Sequence, residues 1–239
     1  MSAPAPHVSI VIPVYNEAEI LPTAVAELTG TLDGMGWDYE LIFAENGSRD
    51  GTPELLASMC AGHPRLRWFH SDRPNYGVAL KRGIELARGT FVICDEIDLC
   101  DVSFYLEALP RLERDEADMV IGSKAARGAS DRRPLIRRTA TRVHNGLLRV
   151  VLGFQGTDTH GLKAFRRETL LPVVERCVVD MDVFASELVI RAWREGLRVV
   201  EVPIQLHEKR EPSVHLFRRV PNVLRNVGKL VWVIRVKGR

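Results

Sequence analysis

The first hundred residues alternate between short apolar segments and segments with helical periodicity. Val8–Val14, Tyr39–Ala44, Leu66–His70 and the segment from Phe91 are apolar, and amphipathic stretches such as Ile20–Leu32 separate them. Strands that are apolar throughout are typical of parallel sheets buried on both faces, and strand–helix alternation is typical of right-handed βαβ units. The pattern therefore predicts an α/β domain with a mainly parallel central sheet.

The segment from Phe91 ends in a cluster of acidic residues. Asp95, Glu96, Asp98 and Asp101 place four carboxylates within seven residues. Ligands of open α/β sheets bind at the carboxyl ends of the strands. Closely spaced carboxylates repel one another unless a cation neutralises them, and Mg²⁺ and Mn²⁺ prefer oxygen ligands and bridge to phosphates. The cluster indicates a metal–diphosphate site, and a solvated acidic loop is the alternative.

Polar side chains also follow the first two predicted strands. Tyr15 and Glu17 come after the first strand, and Glu45 and Asn46 come after the second. The carboxyl ends of parallel strands lie at one edge of a sheet. We therefore expect these side chains to form one site with the acidic cluster.

The second half of the sequence is less regular. Its predicted elements are helices at Phe104–Arg114, Pro134–Leu152 and Val183–Arg194, strands at Asp118–Ser123 and Arg198–Ile204, and an edge strand at Gly161–Arg166.

Two tracts are strongly basic, although the net charge of the whole chain is only +2. Between Lys124 and Arg149 eight Lys and Arg residues face Asp131 alone, and from Gln205 onward nine face only Glu208 and Glu211. Such tracts favour an anionic partner, either phosphate or lipid head groups. Nucleic acid is not expected as a partner, because the tracts lack the interleaved aromatic residues on which bases stack.

The four cysteines lack the spacing of a disulfide framework or a zinc site, which suits a reducing cytoplasm. The first residues do not resemble a signal peptide, and no apolar run approaches the ~20 residues that span a bilayer. The sequence therefore predicts a cytoplasmic protein, either soluble or peripheral to the membrane.

From Val220 onward apolar residues recur every three or four positions, with basic residues and Trp232 between them. This spacing predicts a basic amphipathic helix. The helix could lie on an anionic bilayer or dock on its own domain, and the sequence leaves both possibilities open.

Taken together, the motifs resemble those of family 2 glycosyltransferases of the GT-A fold, in particular the polyprenyl- and dolichyl-phosphate sugar synthases. The resemblance runs from Val8 to about Pro212. The matching segments, in order, are Val11–Glu17, Glu45–Thr52, Asn75–Gly83, Glu96–Leu99, Gly122–Lys124, Gly161–Phe165 and Glu201–Ile204. The resemblance implies a Rossmann-like GT-A domain at 1–212, with helices on both faces of the sheet, and a basic amphipathic helix at 213–239.

The resemblance also implies roles for residues on the donor side. The residues implied to hold the nucleotide-sugar are Pro13, Tyr15, Glu17, Glu45, Asn46, Lys81 and Glu96. Asp98 and Glu96 occupy the Asp-x-Asp positions of the family and would bind Mg²⁺ or Mn²⁺. The chain departs from the family at Glu45–Asn46, where two aspartates are usual, at Glu96, and at Cys100, where the subgroup often has Gln.

On the acceptor side, the resemblance implies that basic residues hold a lipid phosphate. The implied residues are Lys124, Arg137, Thr141, Lys163 and Arg210, and Lys124 and Arg137 join Asp98 and Glu96 as catalytic residues. The implied reaction is inverting transfer of a sugar from a UDP- or GDP-linked donor to a polyprenyl or dolichyl phosphate at the cytoplasmic membrane face. The alternatives are a family 2 transferase with a non-lipid acceptor and an inactive nucleotide-sugar-binding protein.

Overall fold

The central element of the computed structural model is a seven-stranded sheet with strand order β3-β2-β1-β4-β7-β5-β8. The structure describes residues 5–131, 135–178, 183–206 and 225–236. The strands of the sheet are β1 (Val8–Val14), β2 (Tyr39–Glu45), β3 (Leu66–Phe69), β4 (Phe91–Cys94), β5 (Met119–Ser123), β7 (Leu162–Arg166) and β8 (Val199–Pro203). β6 (Ser130–Asp131) and β9 (Gln205–Leu206) form a separate two-stranded parallel sheet.

Helices cover both faces of the large sheet. They are α1 (Leu21–Gly34), α2 (Thr52–Cys60), α3 (Tyr76–Leu86), α4 (Val102–Glu113), α5 (Leu135–Leu152), α6 (Arg167–Arg176) and α7 (Phe184–Arg194). Buried side chains of α1, α2 and α4 belong to one hydrophobic cluster, and those of α3, α5, α6 and α7 belong to another. The sheet separates the two clusters because successive side chains of a strand point to opposite faces. This arrangement confirms the predicted α/β architecture.

The strand at 161–166 was predicted at an edge of the sheet, and that prediction is wrong. β7 lies in the interior, antiparallel to both β4 and β5. Its apolar residues Leu162, Ala164 and Phe165 are buried on both sides, which a central strand requires. Because β7 runs against its neighbours, it begins at the edge where β4 and β5 end.

The last helix, at residues 225–236, begins as an α-helix and continues as a π-helix at Trp232–Val236. Val227, Leu230, Val233 and Ile234 are buried in the same cluster as α5. The described part of this helix is therefore docked on its own domain, one of the two arrangements that the sequence left open. Residues 213–224 lie outside the described residues, and the division at 212 stays a prediction.

The opposite side of the last helix carries polar and aromatic residues. Arg225, Lys229, Trp232 and Arg235 are exposed there. Among the residues that the structure describes, no helix is both long enough and apolar enough to cross a membrane.

A buried carboxylate connects β1, β2, β3 and the segment before β4. The Glu40 side chain is 1% exposed and accepts hydrogen bonds from Ser9 Oγ at 2.7 Å, Arg67 at 2.8 Å and the Arg88 backbone N–H at 2.8 Å. Burial by itself raises the pKa of Glu40, but these hydrogen bonds outweigh it and the pKa is lowered from 4.5. The ionised form of Glu40 therefore stabilises the folded state.

We expect Glu40→Gln to lower the free energy of unfolding near pH 7 by about 1–3 kcal/mol, because charge-assisted hydrogen bonds are lost. Since the folded-state pKa is lowered, this contribution is present above pH 4.5 and disappears as the pH falls through the lowered value. Urea denaturation near neutral pH and at about pH 3 measures it. Glu116→Gln, at an exposed ion pair with Arg114, is the control. An equal loss at both pH values would contradict the assignment.

Candidate active site

Three polar segments meet at one edge of the sheet, which we call the carboxyl edge. β1 lies parallel to β2, with Val14 beside Glu45, and parallel to β4, with Val11 beside Cys94. The segments that follow these strands therefore leave the sheet side by side. This confirms that the polar side chains after the first, second and fourth strands share an edge.

Hydrogen bonds join the segments that follow β1 and β2. The backbone N–H of Asn16 donates to Ser48 Oγ at 2.8 Å, and Asn16 Oδ1 accepts from the Arg49 N–H at 2.8 Å. The Glu17 N–H donates to Thr52 Oγ1 at 2.9 Å. Tyr15, next to this network, is 43% exposed. Hydrogen bonds therefore fix the backbone next to the exposed Tyr15 ring at the carboxyl edge. Pro13 lies two residues earlier, on β1.

Glu45 and Asn46 are buried and hold neighbouring segments of the carboxyl edge in place through hydrogen bonds. Glu45 Oε1 accepts from the Ser48 N–H at 2.6 Å, and the other carboxylate oxygen contacts His70 Nδ1. Burial raises the pKa of Glu45, but the hydrogen bonds from Ser48 and His70 give a net lowering. Asn46 Oδ1 accepts from the Asn75 N–H at 2.6 Å. These are contacts within the protein, and nucleotide binding by Glu45 and Asn46 stays a prediction.

The acidic segment after β4 divides into an inner and an outer part. Asp95 is buried and accepts hydrogen bonds from the N–H groups of Glu96, at 2.6 Å, and Asp101, at 3.0 Å, and from the Tyr105 hydroxyl. Burial raises the pKa of Asp95 to about 7. Asp95 therefore holds the turn together, while Glu96 is exposed at the carboxyl edge and Asp98 is partly exposed.

Two lysines lie opposite the acidic segment. Lys163 pairs with Cys94 across β4 and β7 and is 3% exposed, with its Nζ donating to the Gly161 carbonyl at 2.7 Å. Burial lowers the pKa of Lys163, and the charges of Glu96 and Asp158 oppose this effect. Lys124, which follows β5, has its Nζ 4.0 Å from Asp158 Oδ2. We call Lys124 and Lys163 the basic pair.

The sequence interpretation missed Asp158, a carboxylate that lies between these groups. Asp158 is fully buried, and its oxygens accept from the N–H groups of His160 at 2.9 Å and Lys124 at 3.4 Å. The pKa of Glu96 is raised from its ordinary value because surrounding protein atoms replace part of the solvent around its carboxylate, although the side chain still reaches the surface. The charge of Lys124 opposes this rise, and the charge of Asp158 adds to it. Its position three residues before Gly161, in the matching segment Gly161–Phe165, was the available signal for Asp158.

Glu201, on β8, fixes the turn at 156–158. Its Oε1 accepts from the backbone N–H groups of Thr157 at 2.7 Å and Asp158 at 3.2 Å, and its Oε2 accepts from Thr157 Oγ1 at 2.6 Å. Thr157 Oγ1 also contacts Ser123 Oγ at 2.7 Å. Strand β8 thereby sets the position of Asp158 beside Lys124. Sequence reasoning quoted Glu201 as part of a motif but gave it no role.

The remaining predicted residues are placed differently. Lys81 Nζ donates to the carbonyls of Glu175 at 3.0 Å and Cys177 at 2.8 Å, which ties α3 to the end of α6. Thr141 lies on α5 and is partly buried. Arg137 is on the same helix but the position of its side chain, like all of Arg210, lies outside the described residues.

The donor set of the acidic segment suits a hard divalent ion that takes part of its coordination from phosphates. Glu96 and Asp98 supply carboxylate oxygens, whereas the Cys100 thiol is directed at the Ile97 carbonyl, at 3.5 Å. Within the described ranges, no three His, Cys, Asp or Glu side chains converge on one point. Mg²⁺ and Mn²⁺ are commonly held by one or two carboxylates together with substrate phosphates and water. The residues therefore fit such an ion.

The fold is that of the GT-A glycosyltransferases. A solved structure of glucosyl-3-phosphoglycerate synthase from Mycobacterium tuberculosis, in complex with Mn²⁺, UDP and glucosyl-3-phosphoglycerate, superposes with a TM-score of 0.65. It covers 95% of this chain and 79% of the other, at 20% sequence identity. The predicted GT-A architecture is thereby confirmed.

The chain belongs to glycosyl transferase family 2, whose sequence model matches residues 9–172. It is 32% identical over 237 residues to glycosyltransferase AglD of Haloferax volcanii, covering 97% of this chain but only 38% of that protein. It is 31% identical over 213 residues to an undecaprenyl-phosphate mannosyltransferase of Micrococcus luteus, covering 83% of each. A dolichyl-phosphate hexose transferase of Haloferax volcanii is 28% identical over 205 residues, covering 84% of this chain and 83% of that protein.

The close approach of β5 and β7 at the site gives a test of this geometry. A methyl group at Gly161 would overlap the Gly122 carbonyl oxygen, whereas one at Gly30, inside α1, would meet nothing within 4 Å. We expect Gly161→Ala to cost about 2–4 kcal/mol of unfolding free energy, because the strands must separate. Gly30→Ala should be stabilising by about 0.5–1 kcal/mol. Thermal unfolding measures both, and equal stability of the two variants would contradict the close packing.

Proposed function

We propose that the protein transfers a sugar from a nucleotide-sugar to a polyprenyl or dolichyl phosphate at the surface of a membrane. The observation that carries the proposal is the placement of Glu96 and Asp98 at the carboxyl edge opposite Lys124 and Lys163. A reaction between a diphosphate donor and a phosphate acceptor brings two anionic groups together, and basic side chains offset their repulsion. The names of the relatives from Micrococcus luteus and Haloferax volcanii support a lipid-phosphate acceptor.

On the donor side, Tyr15, Glu17 and the buried pair Glu45 and Asn46 would hold the nucleotide. Glu96 and Asp98 would hold Mg²⁺ or Mn²⁺, which when bound neutralises charge on the leaving diphosphate. The Mn²⁺ and UDP in the structure from Mycobacterium tuberculosis are consistent with this choice.

On the acceptor side, Lys124 and Lys163 would hold the acceptor phosphate, together with Thr141, Arg137 and Arg210. An oxygen of that phosphate forms a bond to the anomeric carbon while the bond from that carbon to the diphosphate oxygen breaks, and the electron pair leaves with the nucleoside diphosphate. The acceptor is already an anion at neutral pH, so no strong general base is needed and positioning supplies much of the rate. A single in-line displacement inverts the anomeric configuration.

A transfer assay with mass spectrometry of the organic extract tests this reaction. We expect a sugar–phosphate lipid from a short polyprenyl phosphate and one of a panel of UDP- and GDP-sugars, in the presence of Mg²⁺ or Mn²⁺. Asp98→Ala or a chelator should lower the rate by about 10²-fold or more, because charge on the leaving group is no longer offset. Glu116→Gln, on the exposed surface, should keep full activity.

Other results of this assay would favour the alternatives. Nucleotide release without a lipid product would indicate a different acceptor. Nucleotide binding without any turnover, with metal present, would indicate a binding protein that lacks catalysis.

Asp158 has a distinct signature in the same assay. Its negative charge opposes the lowering of the Lys163 pKa by burial. Asp158→Asn should therefore lower that pKa further, so that Lys163 loses its proton, and the enzyme its activity, at a lower pH than in the wild type. The basic limb of the pH–rate profile measures this shift, and kcat should fall by about 10-fold or more. A lower kcat with an unmoved basic limb would mean that Asp158 acts through folding alone.

A further inference from the structure

Helix α5 exposes three apolar side chains on one face, which we call the apolar stripe. Leu135 is 75% exposed, Val143 is 65% exposed and Val150 is 81% exposed. With Thr139, which is also exposed, these residues follow one another at intervals of about one or two helical turns and so share a face about 22 Å long. Single exposed apolar residues are common on protein surfaces, but a stripe of them on one helix face indicates a binding surface.

The charge of α5 is entirely positive. Its eighteen residues include four arginines and no aspartate or glutamate. Arg142 is exposed beside the stripe, and Arg138 is partly exposed. An apolar stripe flanked by basic residues is the pattern of helices that lie at the surface of anionic bilayers. A second copy of this chain is a poorer partner, because a symmetric contact would bring the arginines of both copies together.

The orientation of α5 is fixed from its other side. Leu148 and Leu152 are buried in the core. Asn145 Nδ2 donates to the Thr157 carbonyl at 2.6 Å, and Arg149 Nη2 donates to the Gly156 carbonyl at 3.1 Å. The helix therefore cannot rotate to bury its apolar stripe without breaking these contacts.

We propose that the outer face of α5, formed by Leu135, Thr139, Arg142, Val143 and Val150, docks on an anionic lipid bilayer. The inner side of the same helix holds the turn at 156–158, which carries Asp158. Docking would thus place the acceptor side of the site at the membrane surface. The lipid nature of the acceptor rests on the proposed function, but the docking surface itself does not.

Sedimentation with phosphatidylcholine vesicles, with and without phosphatidylglycerol, tests the docking of the full chain. We expect the wild type to bind the vesicles that contain phosphatidylglycerol, and Val143→Glu/Val150→Glu to bind them about 10-fold more weakly or worse, because both added carboxylates face the lipid. The matched control is Met35→Glu/Leu106→Glu. It adds the same charge at exposed apolar residues of α1's end and α4, on the other side of the sheet, and should bind like the wild type.

Three results would overturn the proposal. One is a wild type that binds neither kind of vesicle. Another is an α5 variant that binds as well as the control, in which case the basic face of the last helix would account for binding. The third is a wild type that is dimeric in size-exclusion chromatography while the α5 variant is monomeric.

The vesicle assay contains no sugar donor, so its result is independent of catalysis. As a folding check, the α5 variant should unfold at the same temperature as the control. It should also transfer sugar to a short, water-soluble isoprenyl phosphate at the wild-type rate when vesicles are absent. A wild type that binds vesicles but transfers nothing would contradict the proposed function and leave the docking surface supported.

Discussion

The buried carboxylate of Asp158 determines how acid and base are arranged at the carboxyl edge. Lys163 is almost completely buried, and an ammonium group in such a place keeps its proton only if negative charge lies near. Asp158 and Glu96 supply that charge. Asp158 is in turn held by its own turn, which Glu201 fixes from β8. The negative charge of Asp158 therefore offsets part of the cost of burying the Lys163 ammonium group.

The antiparallel strand β7 makes this arrangement possible. In an all-parallel sheet, the residues at the carboxyl edge are those that follow strands. β7 runs the other way, so Lys163 and the turn before it enter the sheet at the edge that Asp95 and Glu96 leave. Basic groups from the second half of the chain thereby face acidic groups from the first half across neighbouring strands. Acidic and basic residues that are far apart in the sequence are thus close together in the fold.

Patterns of neighbouring residues in the sequence predicted the strands and helices whose formation depends on short-range periodicity. The apolar runs of β1, β2 and β4 and the periodicity of α1 were sufficient to place those elements. β7 was misplaced because an apolar segment of five residues has the same pattern at an edge and in the interior, and only pairing over a long separation distinguishes them. Asp158 was missed for a related reason, since it acts through Lys124, a partner distant in the sequence.

Helix α5 shows how one amphipathic element can serve two environments. Its inner side contributes Leu148 and Leu152 to the core and holds the turn of Asp158 by two hydrogen bonds to backbone carbonyls. Its outer side keeps valines in contact with water, which costs free energy unless another surface covers them. The same helix thus links its exposed outer side to the turn that carries Asp158 through direct hydrogen bonds. The proposed docking surface and this turn are therefore positioned by the same helix, so that docking would orient the acceptor side of the site relative to the bilayer.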